Sequence, residues 1–305
     1  MLLAVLKLVR VPNLAMILLT QVLIKYGLLD SFGISITLSG LGFSLLAIAT
    51  ICIAAAGNII NDIHDLETDS INKPEKVLVG TKIPFNLAYI LYILLSIVGV
   101  GIGFFISNLI GKPGFSSIFI TISALLYLYA TYLKHIIIVG NLAISMLVAF
   151  SIIIVGLYDL LPVITPENQQ TQSIIFSIIL DYSLFALLLN WLREMVKDQE
   201  DIKGDYNAGR NTLPIAIGEK RTNLVIFLIG LLPLIAVVYY LYNYLFENLW
   251  AVLYALFLIV APLLYFMIHI WTAENKRDYT KLSLLLKIIM LLGIISLGLY
   301  KFILR

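Results

Sequence analysis

The sequence predicts an all-α, polytopic membrane protein with about nine transmembrane helices in a single bundle. Of the 305 residues, 61% are hydrophobic and only 12% are charged, and the mean hydropathy is +1.01. Soluble domains carry about 25% charged residues. Apolar runs of about 20 residues recur along the chain, and each could cross a hydrocarbon core of roughly 30 Å. Runs of this length suit helices rather than the short strands of a barrel.

Nine apolar runs define the predicted spanning helices. In order, they cover residues 11–29, 38–60, 85–106, 115–133, 136–158, 173–193, 222–243, 248–271 and 282–303. Most connections between them are short. Two polar segments, 61–84 and 194–219, are longer, and long loops in compact proteins are often functional. With no linker-like composition between runs, we expect one domain over residues 1–305.

The placement of positive charge predicts the orientation of the bundle. With the N-terminus in the cytoplasm, 15 of the 20 Lys and Arg residues fall on the cytoplasmic side. Three fall outside, namely Lys112, Lys301 and Arg305. This bias follows the positive-inside rule. It predicts a protein of the cell membrane whose N-terminus and two long polar segments face the cytoplasm.

Lys25 and Lys287 complete the set and lie within predicted spans. Ionisable residues inside a membrane, here Lys25 and Asp181, are candidates for function by default. For Lys25 there are two structural alternatives, which are pairing with Asp181 in the sixth span or extension of its side chain to the outer interface.

One acidic pattern, Asp-x-x-Asp-x-x-x-Asp, occurs twice, 136 residues apart. Its members are Asp62, Asp65 and Asp69 in the first copy and Asp198, Asp201 and Asp205 in the second. The two long polar segments hold 11 of the 18 acidic residues. Solvated loop charges would not explain this repeated spacing. A carboxylate also costs roughly 2.5–3.5 kcal/mol at the bilayer centre, so we expect both motifs at helix ends.

Helical spacing places each acidic motif on one face of the helix that carries it. Residues at i, i+4 and i+8 of an α-helix lie nearly in line, as in Asn61, Asp65 and Asp69. Oxygen ligands of this kind suit Mg²⁺, which commonly bridges carboxylates to substrate phosphates. The predicted metal ligands are Asn61, Asp62, Asp65, Asp69, Asp198, Asp201 and Asp205. Lys and Arg residues beside them are candidate ligands for a diphosphate.

These motifs resemble those of the UbiA superfamily of intramembrane prenyltransferases. Residues 61–69 and 72–76 resemble its first aspartate-rich motif, residues 193–205 its second, and residues 10–13 its N-terminal signature. Tyr129 and Lys134 are similar to a tyrosine–lysine element between the two acidic motifs. One departure is residues 76–80, Lys-Val-Leu-Val-Gly, where many members have Arg-Pro.

The resemblance implies Mg²⁺-dependent transfer of a prenyl group from its diphosphate. It implies catalytic roles for Asp65, Asp69, Asp201, Asp205 and Lys134. It also implies that the diphosphate is bound by Arg10, Asn13, Asn58, Asn61, Lys76, Tyr129, Arg193, Lys197 and Arg210. The expected surroundings are membrane lipids, with no nucleic-acid partner.

The acceptor remains open between two classes. Residues 193–218 most resemble the branch that transfers geranylgeranyl to the free hydroxyl of geranylgeranylglyceryl phosphate, which makes an ether lipid. The alternative is prenylation of 4-hydroxybenzoate or dihydroxynaphthoate in quinone synthesis. A different class of function, cation transport, is the remaining alternative. Transport sites lie near the membrane midplane, whereas these carboxylates follow the ends of the spans, which favours the enzyme.

Overall fold

The computed structural model describes residues 1–303. Within them, nine helices are long and apolar enough to cross a membrane. They are α1 (Val11–Phe32), α2 (Gly40–His64), α3 (Phe85–Leu109), α4 (Pro113–Thr131), α5 (Val139–Val163), α6 (Gln169–Asn207), α7 (Glu219–Leu245), α8 (Leu249–Thr272) and α9 (Lys276–Leu299). The described residues contain no β-sheet. The predicted all-α membrane fold with nine spans is therefore confirmed, while Arg305 lies outside the described residues.

Several of the helices begin at polar caps that the sequence supplies. The Ser39 hydroxyl accepts a hydrogen bond from the backbone of Gly42 at the start of α2. The Asn248 and Asn275 side chains do the same at the starts of α8 and α9. Such caps satisfy backbone N–H groups that have no partner within the helix. They explain why these spans begin where the apolar runs do.

The two long polar segments are mostly helical, as the spacing of the acidic motifs predicts. The helix α6 continues for 39 residues to Asn207, which at 1.5 Å per residue is about 58 Å. After α2, a short helix, Leu66–Asn72, follows a bend at Asp65. Backbone hydrogen bonds from Asp65 to Asn61 and from Asp69 to Asp65 bridge this bend. Both acidic motifs therefore lie on helical extensions of membrane spans.

Consecutive helices pack side by side around the bundle, from α1 against α2 through to α8 against α9. The first and last helices also meet, since α1 packs against α9. Additional contacts between α2 and α4 and between α6 and α9 fill the interior. The bundle therefore closes on itself, with α1, α2, α4, α5 and α6 surrounding a central space.

Of the two structural alternatives for Lys25, pairing with Asp181 is not found. Lys25 Nζ donates instead to Asp159 Oδ1 at 2.8 Å and to the Leu38 carbonyl at 2.7 Å. The same Asp159 oxygen accepts from the Leu38 backbone N–H at 2.9 Å. Lys25 is buried, and both of its partners lie at the end of the bundle opposite the acidic motifs. This pair ties α1 to α5 and lies roughly 22 Å along α1 from Arg10.

Candidate active site

A cavity of about 790 Å³ opens at the end of the bundle where the acidic motifs lie. All sixteen residues that the sequence assigns to the site line it. They are Arg10, Asn13, Asn58, Asn61, Asp62, Asp65, Asp69, Lys76, Tyr129, Lys134, Arg193, Lys197, Asp198, Asp201, Asp205 and Arg210. The structure thus brings together residues that are up to 200 positions apart in the chain. Their individual roles remain predictions.

The N-terminal segment reaches the first acidic motif through Arg10. Arg10 has a positive φ of 57°, which is uncommon for a residue with a side chain. This turn connects a short N-terminal helix, Leu2–Leu8, to α1. It allows Arg10 Nη2 to contact Asp62 Oδ1 at 2.6 Å. Beside it, the Asn58 amide donates to the Val9 carbonyl at 3.0 Å, so Asn58 holds the turn as well as lining the cavity.

Asp65 receives the largest number of polar contacts among the motif carboxylates. Lys134 Nζ lies 2.7 Å from Asp65 Oδ1, and the Arg210 guanidinium contacts the same oxygen. The Asn61 amide donates to the other carboxylate oxygen at 2.6 Å. Asp65 is only 8% exposed, so these charge-assisted contacts are largely removed from water and are correspondingly strong.

Arg210 links the two acidic motifs, because it contacts Asp65 of the first and Asp205 of the second. Its Nη1 lies 3.3 Å from Asp205 Oδ1. The chain reaches this position through Gly209, whose φ of +68° favours glycine. The backbone N–H of Arg210 then bonds to the Asp205 carbonyl at 2.9 Å, which closes the end of α6 in the manner of a glycine C-cap.

A second link between the motifs is formed by Asn72 and Lys73. The Asn72 amide donates to the Asp201 carbonyl, and its oxygen accepts from the Gly204 backbone, each at 2.9 Å. Lys73 Nζ lies 2.7 Å from Asp201 Oδ2 and 3.4 Å from Glu200. The C-terminal end of the short helix is therefore fastened to the extension of α6.

The remaining polar contacts involve the start of α5 and the middle of α6. The Asn141 amide donates to Asp198 Oδ2 at 2.6 Å. Glu194 accepts from Lys197 at 2.6 Å and lies 3.4 Å from Arg193. The sequence-based site omits Asn72, Lys73, Asn141 and Glu194, although all four line the cavity. The signal for Asn72 and Lys73 was their place directly after the first motif.

The site holds charges of both signs in partly buried positions. Burial lowers the pKa of Lys134 to about 8, although the nearby Asp69 opposes this shift. Burial also lowers the pKa of Arg210 to about 10. Burial and the nearby Asp62 raise the pKa of Asp69. Because burial penalises the charged form of each group, every one of them gains from an opposite charge, and the site can accept both anions and cations.

Beyond the charged mouth, the cavity continues between α2, α4 and α5 with apolar walls. Ile53, Ala54, Phe119, Phe150 and Ile154 line this part. Ile154 lies 15 positions after the start of α5 at Val139, which is about 22 Å along a helix. A long apolar chain could therefore lie in this part while its charged head group remains at the mouth.

The UbiA prenyltransferase family has a model that matches residues 28–295. This match covers most of the chain and all of α2 to α8. The chain belongs to the UbiA prenyltransferase family. The protein is therefore a prenyltransferase, which supports the enzyme prediction over the cation-transporter alternative.

Relatives of this UbiA protein are similar over nearly its whole length. A digeranylgeranylglyceryl phosphate synthase from Methanococcoides burtonii is 32% identical over 295 residues, which covers 95% of this chain and 97% of the relative. A solved structure concerned with digeranylgeranylglyceryl phosphate synthase in membranes is 28% identical, with a TM-score of 0.65 over 97% of this chain and 98% of that one.

The fold is also shared with more distant UbiA structures. A UbiA homolog from Archaeoglobus fulgidus bound to DMAPP and Mg²⁺ has a TM-score of 0.59 at 15% identity, over 96% of this chain and 98% of that one. At this identity the similarity concerns the fold alone. The nine-helix bundle of the present protein is accordingly the UbiA fold.

The donor set of this UbiA site fits a hard divalent cation. In residues 1–303, no group of three or more His, Cys, Asp or Glu side chains is arranged to hold a metal ion, and Lys and Arg side chains contact several of the carboxylates. However, Asn61 Oδ1 and Asp201 Oδ1 are buried and have no hydrogen-bond partner among the described residues. Unpartnered oxygen donors beside several carboxylates are the type of ligand that Mg²⁺ uses.

Proposed function

We propose that this prenyltransferase transfers a geranylgeranyl group from its diphosphate to the free hydroxyl of geranylgeranylglyceryl phosphate. The observation that carries the proposal is the single cavity in which two acidic motifs and several cations meet an apolar channel. Such a cavity suits a substrate with a diphosphate head and a long isoprenoid chain. The choice of acceptor rests on the full-length relative named digeranylgeranylglyceryl phosphate synthase.

The reaction breaks the bond between C1 of the prenyl group and the diphosphate oxygen. The diphosphate leaves with the electron pair, and the resulting allylic cation is attacked by the acceptor oxygen. An ether bond forms, and the hydroxyl proton is released. Lys134 and Arg210 lie at the cavity mouth, where their charges would stabilise the negative charge that develops on the leaving diphosphate. The apolar walls exclude water that would otherwise trap the cation.

We further propose Mg²⁺ as the cofactor, held by Asn61 and by the carboxylates of the two motifs. When bound, Mg²⁺ neutralises diphosphate oxygens and helps the diphosphate leave. Support comes from the oxygen-only donor set and from the distant UbiA homolog that binds Mg²⁺ with DMAPP. Treatment with EDTA should abolish turnover, and added Mg²⁺ should restore it. Full turnover in EDTA would contradict the cofactor assignment.

We also propose that residues 1–305 act as one domain in the cell membrane, with the charged mouth on the cytoplasmic side. The excess of Lys and Arg at that end supports this orientation. The sole cysteine, Cys52, can be changed to Ala and a new cysteine introduced at the exposed Glu75. In intact cells this cysteine should resist a membrane-impermeant thiol reagent. Rapid labelling would show that the charged mouth faces the outside and would contradict the proposed orientation.

The experiment that tests the function is a product assay on purified protein with Mg²⁺ and geranylgeranyl diphosphate. Geranylgeranylglyceryl phosphate, 4-hydroxybenzoate and dihydroxynaphthoate compete as acceptors, and mass spectrometry identifies the products. We expect the diprenylated glyceryl phosphate. A prenylated aromatic ring would instead assign the protein to quinone synthesis and would leave the fold and the diphosphate site unaffected.

A further inference from the structure

A second cavity, of about 140 Å³, lies beside the first between α1, α5, α6 and α9. The two cavities share lining residues from α1, α5 and α6, including Asn13, Asn190 and Arg193. Most of the second lining is apolar, with Phe185 and Met290 among its residues. In contrast to the first cavity, no Asp or Glu of the described chain lines it.

Lys287 is the cation that α9 contributes to this second cavity. It lies 11 positions after Lys276, or about 16 Å along the helix, within an apolar span. Its Nζ donates to Asn13 Oδ1 at 2.9 Å. It forms no ion pair with any carboxylate in residues 1–303. A lysine in a membrane span without a carboxylate partner is costly, so its retention requires another compensation.

Arg193 supplies a second cation at the boundary between the two cavities. Its nearest carboxylate, on Glu194, is 3.4 Å away and also binds Lys197 at 2.6 Å. The Arg193 Nε atom is buried and has no hydrogen-bond partner within the described chain. Positive charge therefore exceeds negative charge where the two cavities meet, and an anion of the substrate would balance it.

We propose that Lys287 and Arg193 bind the phosphate monoester of the acceptor lipid, so that the second cavity is the acceptor head-group subsite. This inference rests on the proposed function, because it names the residues that select its acceptor. A phosphate monoester carries about −1.5 to −2 charges near neutral pH, and Lys and Arg are its usual partners.

The division of charge between the cavities gives this assignment its specificity. Carboxylates in the first cavity compete with a phosphate for its cations, whereas no Asp or Glu of the described residues lines the second cavity. A phosphate monoester without metal is therefore stabilised beside Lys287, and the metal-bound diphosphate beside the aspartates. The apolar residues of the second cavity, including Phe185, then face the proximal part of the acceptor's isoprenoid chain.

The first test compares two acceptors, geranylgeranylglyceryl phosphate and geranylgeranylglycerol, which lacks the phosphate. Lys287→Gln should raise KM for the phosphorylated acceptor at least about tenfold, and the KM for geranylgeranyl diphosphate should not change. Lys287→Arg should keep KM for the phosphorylated acceptor close to the wild-type value because it keeps the positive charge. The control is Lys281→Gln, which removes an exposed lysine from the same helix. Unchanged discrimination between the two acceptors in Lys287→Gln would overturn the proposal.

A binding measurement separates this proposal from the proposed function. Binding of each lipid to protein in nanodiscs is measured without prenyl diphosphate, for the wild type and both glutamine variants. Selective binding of the phosphorylated lipid that is lost only in Lys287→Gln supports the subsite, even if no ether product forms and the proposed function fails. Equal binding of both lipids by the wild type would overturn the subsite, whatever the turnover.

Discussion

Gly204→Ala tests whether the link between the two acidic motifs is structurally required. Intrinsic helix propensity alone predicts that alanine within α6 should stabilise the protein by about 1 kcal/mol. The structure predicts the opposite. A Cβ at Gly204 would lie 2.3 Å from Asn72 Nδ2 and 2.7 Å from its Oδ1, so the Asn72 side chain must move away.

The size of the effect follows from what Asn72 loses. Its two hydrogen bonds to α6, each 2.9 Å long, contribute about 1 kcal/mol apiece. Their loss outweighs the propensity gain, and we expect a net destabilisation of about 1 kcal/mol. Because Asp201 lies in the same link, its displacement should lower kcat/KM by about a hundredfold. Unfolding in detergent and steady-state kinetics measure the two effects.

A double-mutant cycle with Asn72→Ala isolates the clash. In the Asn72→Ala background the space beside Gly204 is open, so Gly204→Ala should be neutral or stabilising there. The two substitutions should therefore be strongly non-additive. If Gly204→Ala lowers the free energy of unfolding by the same amount in both backgrounds, or raises it in the wild type, the link through Asn72 does not hold the motifs together.

Two further substitutions address the metal site and the apolar channel. Asp201→Asn leaves the half-buried Lys73 without its closest carboxylate and removes a proposed metal ligand, so kcat should fall on the order of a hundredfold. The exposed Asp30→Asn should leave kcat unchanged, and equal losses in both variants would argue against a specific role. Ala54→Phe narrows the channel and should shift the preference from geranylgeranyl to geranyl diphosphate in a competition assay. The surface control Ile48→Phe should not shift it, and an unchanged preference in Ala54→Phe would place the prenyl chain elsewhere.

The spanning helices could be predicted from sequence because hydropathy is a local property. Each of the nine predicted runs corresponds to one helix of the bundle. The convergence of the acidic motifs was also predictable, since both follow apolar runs on the same predicted side. The helical state of residues 194–207 was predictable as well, because the acidic residues recur at helical spacing and Glu, Lys and Gln are good helix formers.

The partners of individual charges could not be predicted, because they depend on how distant helices pack. Asn72 contacts the carbonyl of Asp201, 129 residues away, and no local pattern specifies that contact. Likewise, Asp181 was the one candidate partner considered for Lys25, and the packing of α1 against α5 instead brings Asp159 to it. The acidic spacing and the family resemblance predicted residues that line one cavity, whereas tertiary packing determines how their charges pair.

The two lysines within membrane spans show how the structure separates stabilising charges from those available to a ligand. Lys25 meets a carboxylate at 2.8 Å and a carbonyl at 2.7 Å, so its charge is fully compensated within the protein. Among the residues that the structure describes, Lys287 donates only to the neutral Asn13 side chain. Lys287 is half-buried, and a charged side chain inside a membrane span is costly without an opposite charge, which a ligand can supply. Because Lys287 lines a cavity beside the proposed diphosphate site, an anionic acceptor is the compensation that its position favours.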